Sequence, residues 1–307
     1  MKFEWEIYQR NFKQPLRTSY GVWKIREGII ITLENSAGIS KGEIAPLPWF
    51  GSETLSEALN FCQQLGNEIS VEQIAAIPDC LPACQFAFES AWLGLSSGTY
   101  SDDFNDLNYC YLLPAGEKAL SAWQDRHQSA TTFKWKIGVY PIDTEIEILK
   151  RLVDSFPATV KLRLDANGGL SLSQAEKLLR VTDTLEAIAF VEQPLSGDRF
   201  TEMMQLARVH STLLALDESV ASYTQLQAAY ERGWQGVFVI KAAIMGFPNR
   251  LKQFCQQNSL DIVFSSVFET EIGRSAVLKL ARELEHPRAV GFGIESFYEA
   301  DSENLVN

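Results

Sequence analysis

The sequence predicts an α/β protein in which an eight-stranded (β/α) barrel follows an α+β N-terminal domain. The first hundred residues read as an antiparallel meander followed by helices, whereas from about residue 107 short apolar runs alternate with amphipathic stretches. Strands that alternate with helices are typical of a parallel sheet covered by helices, and eight such strands suit a closed barrel. An open doubly wound sheet is the alternative, but no Gly-rich phosphate loop follows the first strand.

We expect three regions along the chain: an α+β capping domain at 1–98, a barrel at 99–295, and a C-terminal tail at 296–307 that packs on the cap. The cap should contain three strands and two helices. The strands are predicted at Phe3–Phe12, at Glu27–Leu33 and through Gly42–Ile44. The first helix should be capped by Ser52 or Thr54, and the second should cover Ala83–Leu95.

The apolar runs define the barrel strands, and helices are predicted between them. The runs are Asn108–Leu113, Phe133–Val139, Val160–Ala166, Ile188–Glu192, Leu213–Asp217, Val237–Lys241, Ile262–Ser266 and Val290–Ile294. The helices are Thr144–Ser155, Ser173–Thr182, Arg199–His210, Tyr223–Arg232, Pro248–Gln257 and Glu271–Glu285.

Composition excludes several classes of protein. With 307 residues and 46% hydrophobic content the chain is globular, and five cysteines without a CxxC pair indicate buried free thiols. A net charge of −12 argues against nucleic acid or an anionic membrane as partners. The N-terminus alternates charges with aromatic residues, so it predicts no signal peptide, and no run approaches the roughly 18 apolar residues of a membrane span. We therefore expect a cytoplasmic protein.

Charged or polar residues end six successive strands of the predicted barrel. Their separations of 29, 27, 25, 24 and 24 residues each match one strand-helix-strand unit, so all six side chains should meet at the rim that holds barrel active sites. These residues are Lys136, Asp165, Glu192, Asp217, Lys241 and Ser265.

Asp165, Glu192 and Asp217 would repel one another at such a rim unless a cation lay between them. Carboxylate oxygens with water suit Mg²⁺ or Mn²⁺, and the lack of histidine argues against zinc. The alternative is that each acid only caps a helix or forms an ion pair.

Lys136 and Lys241 lie on the strands before and after the three acids, and so face each other across the barrel mouth. A partly desolvated lysine near another cation is expected to have a lowered pKa and to act as a base. If a metal held a substrate carboxylate, such a base could remove the proton alpha to it. The alternative is that both lysines only balance the carboxylates.

These residues resemble the motifs of the enolase superfamily, in its muconate-lactonising subgroup. The resemblance extends over nearly the whole chain and implies a TIM-like barrel with an N-terminal cap. Its motifs are K-x-K at Lys134–Lys136, L-D-A-N at Leu164–Asn167, E-Q-P at Glu192–Pro194, D-E-S at Asp217–Ser219, and Lys241.

Within that subgroup the chain is most similar to the o-succinylbenzoate synthase family. Gly42–Thr54 resembles that family's loop G-E-x-A-P-L-P-x-F-G-x-E-T, and Ser265–Gly273 resembles its S-S-x-x-E-T-x-x-G. The resemblance implies dehydration of 2-succinyl-6-hydroxy-2,4-cyclohexadiene-1-carboxylate to 2-succinylbenzoate on the way to menaquinone or phylloquinone.

The resemblance also implies residue roles. Lys136 would remove the proton alpha to the ring carboxylate and then protonate the departing hydroxyl on the same face of the ring. Lys241 would stabilise the enediolate, and Asp165, Glu192 and Asp217 would hold Mg²⁺. Supporting or substrate-binding roles fall to Lys134, Arg163, Asn167, Ser265, Ser266, Trp49 and Gly51. The two serines would use hydroxyl and backbone N–H groups, and the segments 16–23 and 49–51 would form loops over the rim.

Two other functions stay open. A racemase of N-succinylamino acids, or another enzyme of the muconate-lactonising subgroup, would use the same metal and lysines. A non-catalytic scaffold would retain only the barrel. A dipeptide epimerase is disfavoured because Gly291–Ile294 lacks the D-x-D that such enzymes use to hold an amino group. We expect a small-molecule carboxylate substrate, and a monomer or small homo-oligomer.

Overall fold

The computed structural model describes residues 1–18, 21–96, 103–125, 130–285, 287–293 and 297–306. Two sheets organise these residues: an antiparallel sheet of order β12-β1-β2-β3 and an eight-stranded parallel sheet of order β10-β9-β8-β7-β6-β5-β4-β11. The first sheet contains β1 (Lys2–Thr18), β2 (Gly21–Asn35), β3 (Gly38–Ile44) and β12 (Tyr298–Val306), with α1 (Leu55–Gln64), α2 (Val71–Ala75) and α3 (Pro82–Ser96) following β3 in the chain.

The eight predicted barrel strands are confirmed, with Ile294 of the last one outside the described residues. They are β4 (Tyr109–Leu113), β5 (Thr132–Lys136), β6 (Lys161–Asp165), β7 (Ile188–Glu192), β8 (Leu214–Leu216), β9 (Val237–Ile240), β10 (Ile262–Phe264) and β11 (Val290–Gly293). The helices are α4 (Ala119–Ala122), α5 (Ile142–Asp154), α6 (Leu172–Thr182), α7 (Phe200–Val209), α8 (Tyr223–Glu231), α9 (Pro248–Gln257) and α10 (Glu271–Glu283).

The barrel closes between β10 and β11. Ser265 and Gly291 form a parallel bridge there, and the Ser266 N–H donates to the Gly291 carbonyl at 3.3 Å. Inside the barrel a small apolar cluster fills the space below the rim, as side chains do in eight-stranded barrels. The cluster consists of Phe190, Ala215, Val237, Val239 and Val263.

The N-terminal strands are longer than the sequence pattern indicated. Leu16 pairs with Trp23 and Thr18 with Gly21, so the segment expected to be a loop belongs to a hairpin whose Ser19 and Tyr20 lie outside the described residues. The strand register shifts between Asn11 and Leu16. The exposed residues 13–15, which include a proline, interrupt the apolar alternation there, and a bulge absorbs them.

The helices of the N-terminal region begin at defined caps. Thr54, one of the two predicted caps, forms a capping box with Glu57 at the start of α1. Glu53 accepts from the Ala83 and Cys84 N–H groups at 3.1 and 2.8 Å, near the start of α3. The helix α3 packs closely on β3, since a Cβ at Gly42 would lie 2.1 Å from the Ala87 carbonyl oxygen.

A buried carboxylate joins the antiparallel sheet to the barrel. Glu43 on β3 accepts from the Thr270 N–H and the Gly273 N–H, both at 2.9 Å, and from the Thr270 hydroxyl at 2.5 Å. The Tyr8 hydroxyl donates to the other oxygen of the same carboxylate at 2.5 Å. Glu43 thereby satisfies N–H groups at the start of α10 that have no partner within the helix.

The last strand, β12, pairs antiparallel with β1. The predicted domain limits after residues 98 and 295 fall in 97–102 and 294–296, outside the described residues, and stay predictions. Four of the five cysteines are buried free thiols, as expected, but Cys80 is exposed. Among the described residues, no helix combines the length and apolarity needed to cross a bilayer.

We expect Glu43→Gln to lower the free energy of unfolding by about 1–3 kcal/mol, because an amide cannot accept all the hydrogen bonds that the carboxylate accepts. Urea denaturation measured by circular dichroism tests this. The exposed Glu4→Gln is the matched control and should change stability by less than about 0.5 kcal/mol. Equal losses in the two variants would contradict a special role for Glu43.

Candidate active site

The charged residues predicted at the strand ends meet at one rim of the barrel. Lys136 lies beside Asp165 in the register of β5 and β6, and Asp165 lies beside Glu192 in the register of β6 and β7. Asp217 directly follows β8, and Lys241 directly follows β9. In the eight-strand order, β5 and β9 are four positions apart, so Lys136 and Lys241 stand on opposite sides of the mouth.

Lys134 bridges two of the acids. Its Nζ lies 2.9 Å from Asp165 Oδ2 and 2.6 Å from Glu192 Oε1, and both carboxylates are 2% exposed. Burial lowers the pKa of Lys134, but Asp165 and Glu192 outweigh burial and raise the pKa well above its usual value. Lys134 is therefore a fixed cation in this arrangement.

The acids differ in how well the lysines compensate them. Burial raises the pKa of Asp165, but Lys134 and Lys136 outweigh it and hold the pKa below its usual range. Burial raises the pKa of Glu192 to about 8, and the charge of Asp165 adds to the rise while Lys134 opposes it. The lysines therefore leave Glu192 short of positive charge.

This donor set fits a hard divalent cation. Asp165, Glu192 and Asp217 supply buried carboxylate oxygens on adjacent strands, which are the ligands that Mg²⁺ prefers. Within the described ranges, no three side chains of His, Cys, Asp or Glu are already arranged around one point as ligands of a metal ion would be. Lys134 Nζ stands between Asp165 and Glu192, and Lys241 pairs with Asp217. Each of the three carboxylates is thus already paired with a lysine ammonium group.

Lys136 belongs to a chain of hydrogen bonds. Its Nζ donates to Asn167 Oδ1 at 2.7 Å, and Asn167 Nδ2 donates to Glu218 Oε1 at 3.1 Å. The backbone N–H of Asn167 also donates to Asp165 Oδ1 at 3.1 Å. Asn167 therefore has its amide oxygen directed at Lys136, because its amide nitrogen is used by Glu218.

Sequence reasoning missed Glu218. It lies in the D-E-S motif, but its neighbour Asp217 accounted for the motif's acidic character. Burial, followed by the charge of Asp217, raises the pKa of Glu218 to about 7, and its Oε2 has no hydrogen-bond partner among the described residues.

Lys241 contacts two groups at the mouth. Its Nζ forms an ion pair with Asp217 Oδ1 and lies 3.8 Å from the centroid of the Phe50 ring. The side chain of Lys241 is 11% exposed. The cap and the barrel therefore each supply one neighbour of this ammonium group.

Arg163 lies apart from the rim residues. Two positions before Asp165 on β6, it points to the same side but one layer deeper. Its Nη2 donates to the Ala289 carbonyl at 2.7 Å, and its guanidinium lies 5.0 Å from the Phe190 ring centroid. A role for Arg163 in substrate binding stays a prediction.

The two serines after β10 are already hydrogen-bonded. The Ser265 N–H donates to the Ile240 carbonyl at 2.9 Å, and the Ser266 N–H to that of Gly291. The Ser266 hydroxyl donates to Glu269 Oε2 at 2.6 Å and accepts from the Phe268 N–H at 2.8 Å. The backbone groups expected to bind a substrate carboxylate are therefore used within the barrel.

Aromatic residues from the N-terminal sheet and the barrel form a wall beside the mouth. Trp49 meets Trp23 edge to face with ring centroids 4.9 Å apart, and Trp23 lies 5.5 Å from Phe268. Phe12 and Tyr298 continue this wall. Gly51 has φ 100°, a left-handed conformation that favours glycine. Substrate contacts of Trp49 and Gly51 stay predictions.

Comparisons with known proteins agree with this fold. The family model described as enolase C-terminal domain-like matches residues 115–290, and that of the MenC N-terminal domain matches residues 8–95. The o-succinylbenzoate synthase of Thermosynechococcus vestitus is 40% identical over 306 residues, covering 98% of this chain and 94% of that protein.

Solved structures agree as well. The crystal structure of o-succinylbenzoate synthase from Thermosynechococcus elongatus BP-1, complexed with Mg in the active site, has a TM-score of 0.92 and 40% identity, covering 98% of this chain and 95% of that one. The L-Ala-D/L-Glu epimerase of Bacillus subtilis shares the fold, with a TM-score of 0.78 at 20% identity over 98% of this chain and 91% of its own.

The chain therefore belongs to the enolase superfamily, as both the barrel and the family model indicate. Within that superfamily it belongs to the o-succinylbenzoate synthase family, and it is an enzyme of the carbon–oxygen lyase class.

Glu269 makes stability depend on pH. Burial raises its pKa to about 7, above the usual glutamate value of about 4.3. The folded chain thus keeps a proton that the unfolded chain releases between these values, so stability should fall as pH rises from about 4.3 to 7 and stay constant above that range. At about 1.4 kcal/mol per pH unit, the fall is roughly 3–4 kcal/mol.

Urea unfolding of the wild type and of Glu269→Gln at pH 5, 6, 7 and 8 measures this dependence. Stability of the wild type relative to the variant should decrease over the first three pH values and then level off. A pH-independent difference between the two proteins would contradict it.

Proposed function

We propose that the chain catalyses the Mg²⁺-dependent syn dehydration of 2-succinyl-6-hydroxy-2,4-cyclohexadiene-1-carboxylate to 2-succinylbenzoate, in menaquinone or phylloquinone biosynthesis. The observation that most supports it is the pair Lys136 and Lys241, which stand on opposite sides of three carboxylates at one rim. The relationship at 40% identity to an o-succinylbenzoate synthase supports the choice of substrate.

Asp165, Glu192 and Asp217 would hold the metal, with Mn²⁺ as a possible substitute for Mg²⁺. The bound cation supplies positive charge that stabilises the charge developing on the substrate carboxylate. The under-compensated carboxyl of Glu192 supports this assignment, because additional positive charge would favour its ionised form.

Lys136 would act first as a base and then as an acid. Its Nζ donates a hydrogen bond to Asn167 Oδ1, which would hold the nitrogen in position to take the proton alpha to the ring carboxylate. The C–H electrons then form the ring double bond as the C–O bond breaks. Lys136 returns the same proton to the departing hydroxyl, which leaves as water from the same face, and the ring becomes aromatic.

The other rim residues would support this step. Lys241 would stay cationic and stabilise the developing negative charge, while Lys134 and Asn167 hold the acids and the base in position. We also propose substrate contacts by Arg163 and by the set Ser265, Ser266, Trp49 and Gly51. We further propose a cytoplasmic enzyme that acts as a monomer or small homo-oligomer.

The purified protein with Mg²⁺ is expected to remove the diene absorbance of the cyclohexadiene substrate. Lys136→Ala should lower kcat by about 10²–10⁴, the contribution of a general base. The exposed lysine variant Lys177→Ala is the matched control and should retain wild-type kcat. Lack of turnover by the wild type, or undiminished turnover by Lys136→Ala, would overturn the proposal.

A second candidate is racemisation of N-succinylamino acids. It is favoured by the opposed lysines, since one can remove the alpha proton while the other delivers a proton to the opposite face. Assays with N-succinyl amino acids in deuterated water would detect it as deuterium at the alpha carbon. Absence of exchange, with the diene still consumed, would leave dehydration as the activity.

Mg²⁺ should stabilise the folded protein. At a concentration 100 times Kd, one bound ion adds about 2.7 kcal/mol to the free energy of unfolding, which raises Tm, and EDTA should reverse the rise. Glu192→Gln and Asp165→Asn should abolish it, whereas Asp143→Asn, an exposed acid on α5, should not. Equal Mg²⁺ shifts in all four proteins would contradict a site at the rim.

A further inference from the structure

Phe50 occupies a rigid turn in the loop between β3 and α1. The segment Pro48–Phe50 forms a single 3₁₀ turn, in which the Phe50 N–H donates to the Leu47 carbonyl at 2.8 Å and the Gly51 N–H to that of Pro48 at 3.0 Å. The Leu47 N–H in turn donates to the Ser52 hydroxyl at 2.6 Å. The backbone around Phe50 is thus held on both sides, which fixes the position of its Cα.

That ring faces Lys241 across the boundary between the cap and the barrel. Lys241 Nζ lies 3.8 Å from the ring centroid, well within the roughly 6 Å range of a cation–π interaction. Phe50 is 8% exposed and the Lys241 side chain 11% exposed, so water competes little for this contact. The attraction between ring and ammonium is stronger in such a partly desolvated site.

Asp217 is the other neighbour of the Lys241 ammonium. If Asp217 holds a metal, its carboxylate has less negative charge to offer to Lys241. The face of a phenyl ring attracts the ammonium through its quadrupole and has no lone pair in competition with a substrate oxygen. Of the three N–H donors of Lys241, one donates to Asp217 and one faces the ring, which leaves one for that oxygen.

We propose that Phe50 is a positioning residue that holds the Lys241 ammonium at the barrel mouth through a cation–π interaction. Its importance for catalysis rests on the proposed dehydration, in which Lys241 stabilises the developing negative charge. The cap then supplies an electrostatic component of the site as well as a cover over it. The competing interpretation is that Phe50 only packs against its neighbours or excludes water. It predicts that kcat does not depend on the electron density of the ring.

The contact itself can be tested without activity. With lysine labelled by ¹³C at Cε, the methylene protons of Lys241, assigned by their loss in Lys241→Arg, should resonate upfield because of the ring current of Phe50. Phe50→Tyr should keep this shift and Phe50→Leu should remove it. No upfield shift in the wild type would overturn the contact, whether or not the protein turns over the diene.

Catalytic importance is tested with fluorinated phenylalanines incorporated at position 50 only. Mono-, di- and trifluorination weakens the quadrupole stepwise with little change in shape, so kcat should fall stepwise while KM changes less. Phe50→Leu should lower kcat by about threefold to thirtyfold, the range of a cation–π contact. Phe50→Tyr keeps an aromatic ring and should retain most of the wild-type kcat. Phe61→Leu, which alters a half-buried cap phenylalanine in contact with Phe88, is the control and should leave kcat unchanged.

The outcomes separate the two proposals. An upfield Lys241 resonance in a wild type that fails to consume the diene would overturn the dehydratase assignment, and with it the catalytic role of Phe50, while upholding the contact. Normal turnover with a flat fluorination series would overturn the electrostatic role of Phe50 and leave the dehydratase assignment intact.

Discussion

Repulsion among buried carboxylates at one rim of the barrel is the constraint on which the site depends. Asp165, Glu192 and Asp217 are each at most 4% exposed, so water screens them little and neighbouring cations must compensate them. Lys134 lies between two of them and Lys241 pairs with the third. Lys241 also contacts the Phe50 ring, so the compensation of these charges extends from the barrel into the cap.

Much of this arrangement was predictable because it follows from local periodicity. A strand and helix unit repeats about every 25 residues, and side chains two apart share a face, so the sequence alone indicated that the six strand-end residues share a rim. The same rule could not predict which of two neighbouring side chains inside the barrel reaches the acids at the rim. Lys134 and Arg163 sit side by side in strand register, yet the lysine reaches the acids, whereas the arginine binds the Ala289 carbonyl.

The contacts that escaped prediction join residues across long sequence separations. Glu43 meets Thr270 and Gly273 more than 220 residues away, and Phe50 meets Lys241 from a different part of the fold. No periodic pattern encodes such meetings, because they depend on how the antiparallel sheet sits on the barrel. Glu218 was missed for another reason. Its partner Asn167 follows β6, two strands before β8, and the adjacent Asp217 already accounted for the acidic motif.

The pairing of β12 with β1 has a consequence for biosynthesis. On the ribosome, β1 emerges before the barrel strands, but its outer edge gains a hydrogen-bonded neighbour only after residues 298–306 have followed those strands. Of the two sheets, the four-stranded one is therefore completed later, and until then β1 exposes unpaired backbone groups. The sheet that carries Phe12 and Trp23 of the aromatic wall is thus completed only after all the barrel strands have been synthesised.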